Sequence, residues 1–264
     1  MQKIGLVLSG GGTNGFAHIG ALKVLDSLNI KFRAIAGCSI GSIIGACYAA
    51  GKTPLEIEEF VTKRKLHHFL NFSISRLGIS KTDKLKKSLE KFMSVKSFEE
   101  LKIPLFINAT NLSTGKEVVF SSGELFRAIR ASIAVPGIFA PLIIHEDYYV
   151  DGGVLDNAPF SILPKKIKKY VIINVDPYEP LKKGKPPSLS KLLETSGRAA
   201  MEELIRLRLK TIAERNYVLI EPPVPGYKLL PGKEECEKII MAGESATIKK
   251  IFEIRKKFNL NIQA

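Results

Sequence analysis

The apolar positions of the chain come in two rhythms. Ile4–Leu8 is an apolar run broken only by Gly5 and closed by Ser9 and three glycines, which reads as a strand buried on both faces. From Phe16 to Leu28, the residues Ala17, Ala21, Val24, Leu25 and Leu28 recur at helical spacing, and Asn29 stops them. Arg33–Cys38 repeats the strand pattern and Ile40–Ala50 the helical one, closed by Gly51. Strand, glycine loop, helix, strand, tight turn and helix within about 50 residues predict the opening of a parallel α/β sheet.

Farther along, helical spacing covers Pro54–Leu70, Asp83–Met93, Leu125–Ile133 and Ser190–Glu214, with a C-terminal pair at Glu234–Met241 and Ser245–Phe258. Strands are predicted at Pro104–Asn111, Glu117–Phe120, Tyr170–Val175 and Tyr217–Ile220, and a hairpin joins Leu142–His145 to Tyr148–Val150. Pro177–Ser188 is rich in proline and reads as a loop. There is neither an internal repeat nor a linker, so one domain is expected over residues 1–264, with a core at about 3–220 and C-terminal helices at about 234–258.

Composition narrows the class. Hydrophobic residues make up 45% of the 264, enough for a globular core. No apolar run reaches the length of about 18 residues that a membrane span needs, and the N-terminal run is too short for a signal peptide. An intracellular, cytoplasmic protein is expected. The three cysteines, Cys38, Cys47 and Cys236, have neither metal-ligand spacing nor a disulfide pattern. The net charge of +14 attracts polyanions. Its lysine clusters, Lys165-Lys166-Ile167-Lys168-Lys169 and Lys182-Lys183-Gly184-Lys185, lack the interleaved aromatics of a single-strand binder. No nucleic-acid motif accompanies them either. They read as a solvated face or as a peripheral contact with an anionic membrane surface, and no nucleic-acid partner is expected.

The chemistry concentrates at two turns. Gly37-Cys38-Ser39-Ile40-Gly41 fits G-x-S-x-G and falls between a predicted strand and a predicted helix. Glycines there allow a cramped turn that lifts a serine out at the end of a sheet, ahead of a helix N-terminus that favours negative charge. A helix-capping serine is the plainer alternative. The second turn is Ser9-Gly10-Gly11-Gly12-Thr13-Asn14-Gly15. Gly10, Gly12 and Gly15 fit a dinucleotide fingerprint, but the following strand ends in Ser39 where that fingerprint wants a carboxylate. The other reading is an oxyanion hole, because adjacent parallel strands would set this loop beside Ser39.

A serine needs a base. His18 precedes it, His67 and His68 lie in a lysine-rich stretch, and His145 falls in a hairpin. Asp151, in Tyr149-Val150-Asp151-Gly152-Gly153, is the better candidate: a carboxylate at a strand end can act as a base if burial raises its pKa. Asp176 is the next, and Cys38 is a competing nucleophile at the wrong place in the turn.

Taken together, GGGTNG at 10–15, GCSIG at 37–41, ASIAVPGIFAP at 131–141 and DGG at 151–153, followed by Asp156-Asn157-Ala158-Pro159, closely resemble the patatin-like phospholipase family. These are acyl hydrolases related to patatin and to cytosolic phospholipase A2. The resemblance covers roughly residues 3–220. It implies a three-layer α/β fold with a mostly parallel central sheet and helices on both faces. It also implies a lipid or ester substrate, no metal or cofactor, and a Ser–Asp dyad without a catalytic histidine. Carried over by position, Ser39 is the nucleophile, Asp151 the base, and the loop Gly10, Gly11, Gly12 and Thr13 the oxyanion hole. Gly15, Gly37, Gly41, Gly152 and Gly153 support the motifs. Asn14 stands where family members usually carry Arg or Lys. A weakly active or inactive lipid-binding protein on the same fold is the alternative, and the oligomeric state stays open.

Overall fold

Side chains along β1 (Ile4–Leu8) alternate between two cores, Leu6 and Leu8 facing one and Val7 the other. A strand buried on both faces belongs in the middle of a sheet, and the computed structural model puts it there. It describes residues 3–63, 79–181, 184, 186–224 and 232–260. The further strands are β2 (Phe32–Gly37), β3 (Leu105–Asn111), β4 (Lys116–Phe120), β5 (Leu142–Ile144), β6 (Asp147–Asp151), β7 (Lys169–Ile173) and β8 (Tyr217–Ile220). Their order is β5-β6-β3-β2-β1-β7-β8, with β4 pairing separately with β3. From β3 to β8 the pairs are parallel, whereas β4, β5 and β6 form an antiparallel flank.

Helices cover both faces, but unequally. The larger core lies under α1 (Ala17–Ser27), α2 (Ile40–Ala49), α3 (Pro54–Lys63), α4 (Ile79–Met93), α5 (Leu125–Ser132) and α7 (Lys233–Phe258). The smaller core on the opposite face is closed by α6 (Leu189–Leu209), through Ile205 and Leu209, and by the irregular segment carrying Phe160, Leu163 and Ile167.

Two helix predictions need correction. The C-terminal pair is one helix, α7, that runs through Gly243 without a break. Gly243 marks a crossing: a Cβ there would come within 1.9 Å of the Ala17 carbonyl on α1, and one on Gly20 equally close to the Ile240 carbonyl. This glycine, in the gap between the two predicted helices, is what lets two backbones touch. Helix α6 ends at Leu209 rather than at residue 214, because Ile212 and Tyr217 turn in against the smaller core and Ala213 adopts extended geometry to lead into β8. The predicted helix over Pro54–Leu70 is seen as far as Lys63. His67, His68, Phe69, Leu70 and Phe72, read as a helix face and acyl-pocket candidates, lie outside the described residues, as do Lys182, Lys183 and Lys185.

Candidate active site

The site forms where β1 and β2 end side by side. Leu8 is in register with Gly37, and the Cys38 N–H donates to the Leu8 carbonyl across 3.0 Å. The chain then turns so tightly that a Cβ on Gly41 would sit 2.2 Å from that same carbonyl, and one on Gly37 would sit 2.7 Å from the Gly41 carbonyl. Between them Ser39 takes φ 50°, ψ −124°, a left-handed conformation unfavourable to any residue with a Cβ. The turn is held by the Ser39 N–H donating to Ser132 Oγ of α5 at 2.8 Å, and by the Ser42 hydroxyl donating to the Ser39 carbonyl at 2.6 Å.

Ser39 precedes α2 in the N-cap position, yet its side chain makes no capping hydrogen bond. The hydroxyl instead lies beside the Asp151 carboxylate, close enough to favour its charged form. Asp151 ends β6 and pairs with Ala109 on β3, while β3 runs parallel to β2. Its Oδ1 also accepts from the Gly153 N–H at 2.8 Å and lies 3.6 Å from Cys38 Sγ. Those donors favour the charged carboxylate, but burial outweighs them and pushes its pKa up to about 6. The same burial, with the negative charges of Asp151 and Asp156, pushes the Cys38 thiol well above its ordinary range. Cys38 stays protonated and is not a thiolate nucleophile.

The glycine loop stands over Ser39: a Cβ on Gly10 would be 3.1 Å from that of Ser39. Gly10, expected among the oxyanion donors, is committed elsewhere, since its N–H donates to the Asn157 carbonyl at 3.2 Å. Gly11 and Gly12 have φ of 152° and 55°. They open a 3-10 turn, Gly12–Phe16, whose leading N–H groups have no intrahelical partner. Among the described residues those of Gly11 and Gly12 are unpaired. Thr13 is buried within that turn. Gly15 packs on Ile40, and Gly152 on Asn108.

His18 sits beneath the loop, wholly buried, with Nε2 2.9 Å from the Ser9 carbonyl. Burial lowers its pKa to about 4, so the ring is neutral and Nε2 carries the proton. It steadies the loop rather than reaching Ser39. His145 is exposed in the β5–β6 turn, at the far end of β6 from Asp151. Asn14 is buried and donates to Asp176. Asp176 in turn pairs with Arg198 of α6, within 3.0 Å but off the hydrogen-bonding axis. A cation therefore reaches this side of the loop from a distant helix, not from the loop itself.

Sequence reasoning gave several residues of the site no role. Asp156 is buried with its Oδ2 2.7 Å from Arg208 Nη1, and it holds the turn whose Asn157 carbonyl receives Gly10. Despite the arginine, burial raises its pKa to about 6. Arg208→Ala is expected to destabilise the fold by about 3 kcal/mol at pH 8, because it strands a buried charge. The cost should shrink as pH falls through the Asp156 pKa, since a protonated carboxyl needs no counter-charge. Urea denaturation at the two ends of that range checks both parts. The signal for Asp156 lay in the sequence beside DGG. For Arg198 and Arg208 there was none, as contacts across 22 and 52 residues leave no local pattern.

The cleft lined by Gly11, Ser39, Pro136, Asp151, Asp176 and Met201 has a volume of about 140 Å³. Two larger hollows, about 570 and 590 Å³, lie around the N-terminal end of β2 and the end of α7 and hold no activated nucleophile.

The patatin-like phospholipase family model matches residues 6–164, which hold the loop, the elbow and Asp151. The chain belongs to this family. An uncharacterized NTE family protein of Mycobacterium bovis is 36% identical over 165 residues, covering 60% of this patatin-like chain and 45% of that protein. Lysophospholipase NTE1 of Cryptococcus neoformans var. neoformans is 33% identical over 181 residues, 66% of this chain and 11% of that protein. The chain thus spans less than half the length of these curated relatives. The crystal structure of VipD from Legionella pneumophila aligns with a TM-score of 0.57 at 15% identity, over 96% of this chain and 67% of that one, a likeness of fold. Among the described residues no helix is long and apolar enough to cross a membrane.

Proposed function

We propose that this patatin-like chain is a serine hydrolase of lipid esters that works through a Ser39–Asp151 dyad. One observation carries the reading: a serine held in a strained elbow sets its hydroxyl beside a buried carboxylate whose pKa is pushed up to about 6. Asp151 accepts the Ser39 proton as Oγ attacks the ester carbonyl. The oxyanion that forms is met by the N–H groups of Gly11 and Gly12. Collapse breaks the ester C–O bond, and the alcohol leaves with the proton from Asp151. Asp151 next takes a proton from water as it attacks the acyl-enzyme. The second collapse returns a proton to Ser39 Oγ and releases the carboxylic acid.

A fluorophosphonate probe tests the nucleophile. Intact-mass spectrometry should find a single adduct on the wild-type protein, and peptide mapping should put it on Ser39. An unlabelled protein, or an adduct elsewhere, would sink the proposal. The base has a separate signature. Asp151 must be ionised to accept a proton, so kcat/KM on a soluble ester should fall about tenfold per pH unit below about 6 and be flat above it. A profile still rising between pH 7 and 8 would point to another base.

A further inference from the structure

A cleft of about 140 Å³ holds a scissile ester and a short length of chain, far less than the several hundred cubic ångströms that enclosed ligand sites usually offer. The remainder of a lipid must lie outside it. The surface just outside is unusual. Chain leaves the cleft wall at Asp176 and returns to it at Met201 on α6. Between these two points stand five exposed large apolar side chains: Tyr178, Leu181, Leu189, Leu192 and Leu193, the leucines of α6 being 72%, 47% and 66% exposed.

Helix geometry explains the exposure. Thr195, Glu202, Ile205 and Leu209 recur at spacings of a buried face. Leu189 and Leu193 lie on the opposite side of α6, with Leu192 beside them. No core is served by these leucines, and none of them caps the helix. The arch is also tied down at both ends. Arg198 pairs with Asp176 at 3.0 Å and with Glu194 at 3.3 Å, so the turn of α6 that follows the leucines is tied to the cleft wall.

We infer that this arch, Tyr178, Leu181 and the leucines at 189, 192 and 193, inserts into the interfacial layer of an anionic lipid bilayer and so presents the cleft to membrane lipid. The inference rests on the lipid-ester reading above. Charge selects this occupant over a second copy of the chain: at +14 two copies repel, while an anionic surface attracts. Continuity with the cleft walls adds that lipid entering between Asp176 and Met201 would pass directly from the bilayer to Ser39.

The test compares wild type, Leu192→Asp/Leu193→Asp and Phe252→Asp. Phe252, 75% exposed on α7, is the control for loss of any surface apolar group. Each protein is sedimented with phosphatidylcholine vesicles containing about a fifth phosphatidylglycerol. Each is also assayed on those vesicles and on soluble p-nitrophenyl butyrate. The leucine double variant should lose vesicle binding and vesicle-lipid hydrolysis by about tenfold or more, with butyrate turnover unchanged. Phe252→Asp should match wild type in all three. Vesicle binding by the double variant equal to wild type would overturn the inference. So would an equal loss in Phe252→Asp, or a leucine-dependent dimer in sedimentation velocity without vesicle binding. If wild type turns over neither ester yet binds vesicles through the leucines, the hydrolase reading fails and the docking surface stands.

Discussion

Asp151→Asn is expected to lower kcat/KM on a soluble ester by about 10³-fold or more while raising thermal stability. The two effects share a cause. Burial holds the carboxylate pKa up at about 6, so at pH 8 the folded protein carries a buried charge that the unfolded chain would carry in water. A group whose folded pKa is raised contributes its full stability only below its unfolded pKa and loses it as pH rises through the folded one. Ionised Asp151 therefore costs the fold on the order of 1–3 kcal/mol at pH 8. Asparagine is nearly isosteric: its Oδ1 still accepts from Gly153, and its Nδ2 donates to Ser39 Oγ, reversing the bond that would otherwise take the proton away. Differential scanning calorimetry at pH 8 should show a higher midpoint, and the gain should fade towards pH 5. An active Asp151→Asn protein would remove Asp151 from the mechanism.

Ser39→Ala should reduce turnover by about 10⁴-fold or more and abolish fluorophosphonate labelling, since the oxyanion donors alone leave only a residual rate. Ser39→Gly should be equally inactive and more stable than Ser39→Ala by about 1 kcal/mol, because only glycine adopts φ 50°, ψ −124° without strain. The pair separates chemistry from conformation. If both variants lost activity but alanine were as stable as glycine, the elbow would be unstrained and its geometry would need another explanation.

The first half of this site was legible because its determinants are local. β1 and, from Ala34 onward, β2 are buried on both faces, so they read as apolar runs, and the glycines between Ser9 and Gly41 mark the turns that put the two motifs side by side. Asp151 was legible for the same reason, as a carboxylate at a strand end before two glycines. What the sequence did not disclose depends on distant partners. Asn14 looks like a lost cation until Asp176 and Arg198 close around it. The gap left between the two predicted C-terminal helices holds the glycine where α1 crosses. Gly10 looks like a donor until Asn157 takes its N–H.

One consequence concerns the seam between the parallel and antiparallel parts of the sheet. Ser39 follows a parallel strand, and Asp151 ends an antiparallel one joined to β3 through the short register of Ala109, Thr110 and Asn111 against Asp151, Val150 and Tyr149. A strand displaced by one residue presents its other face. The β6 register thus works like a vernier, aligning the Asp151 carboxylate with Ser39 in steps of one residue, with no intermediate setting. A molecule folded one notch out would keep its sheet, its elbow and its glycine loop, and would carry a serine with no carboxylate beside it.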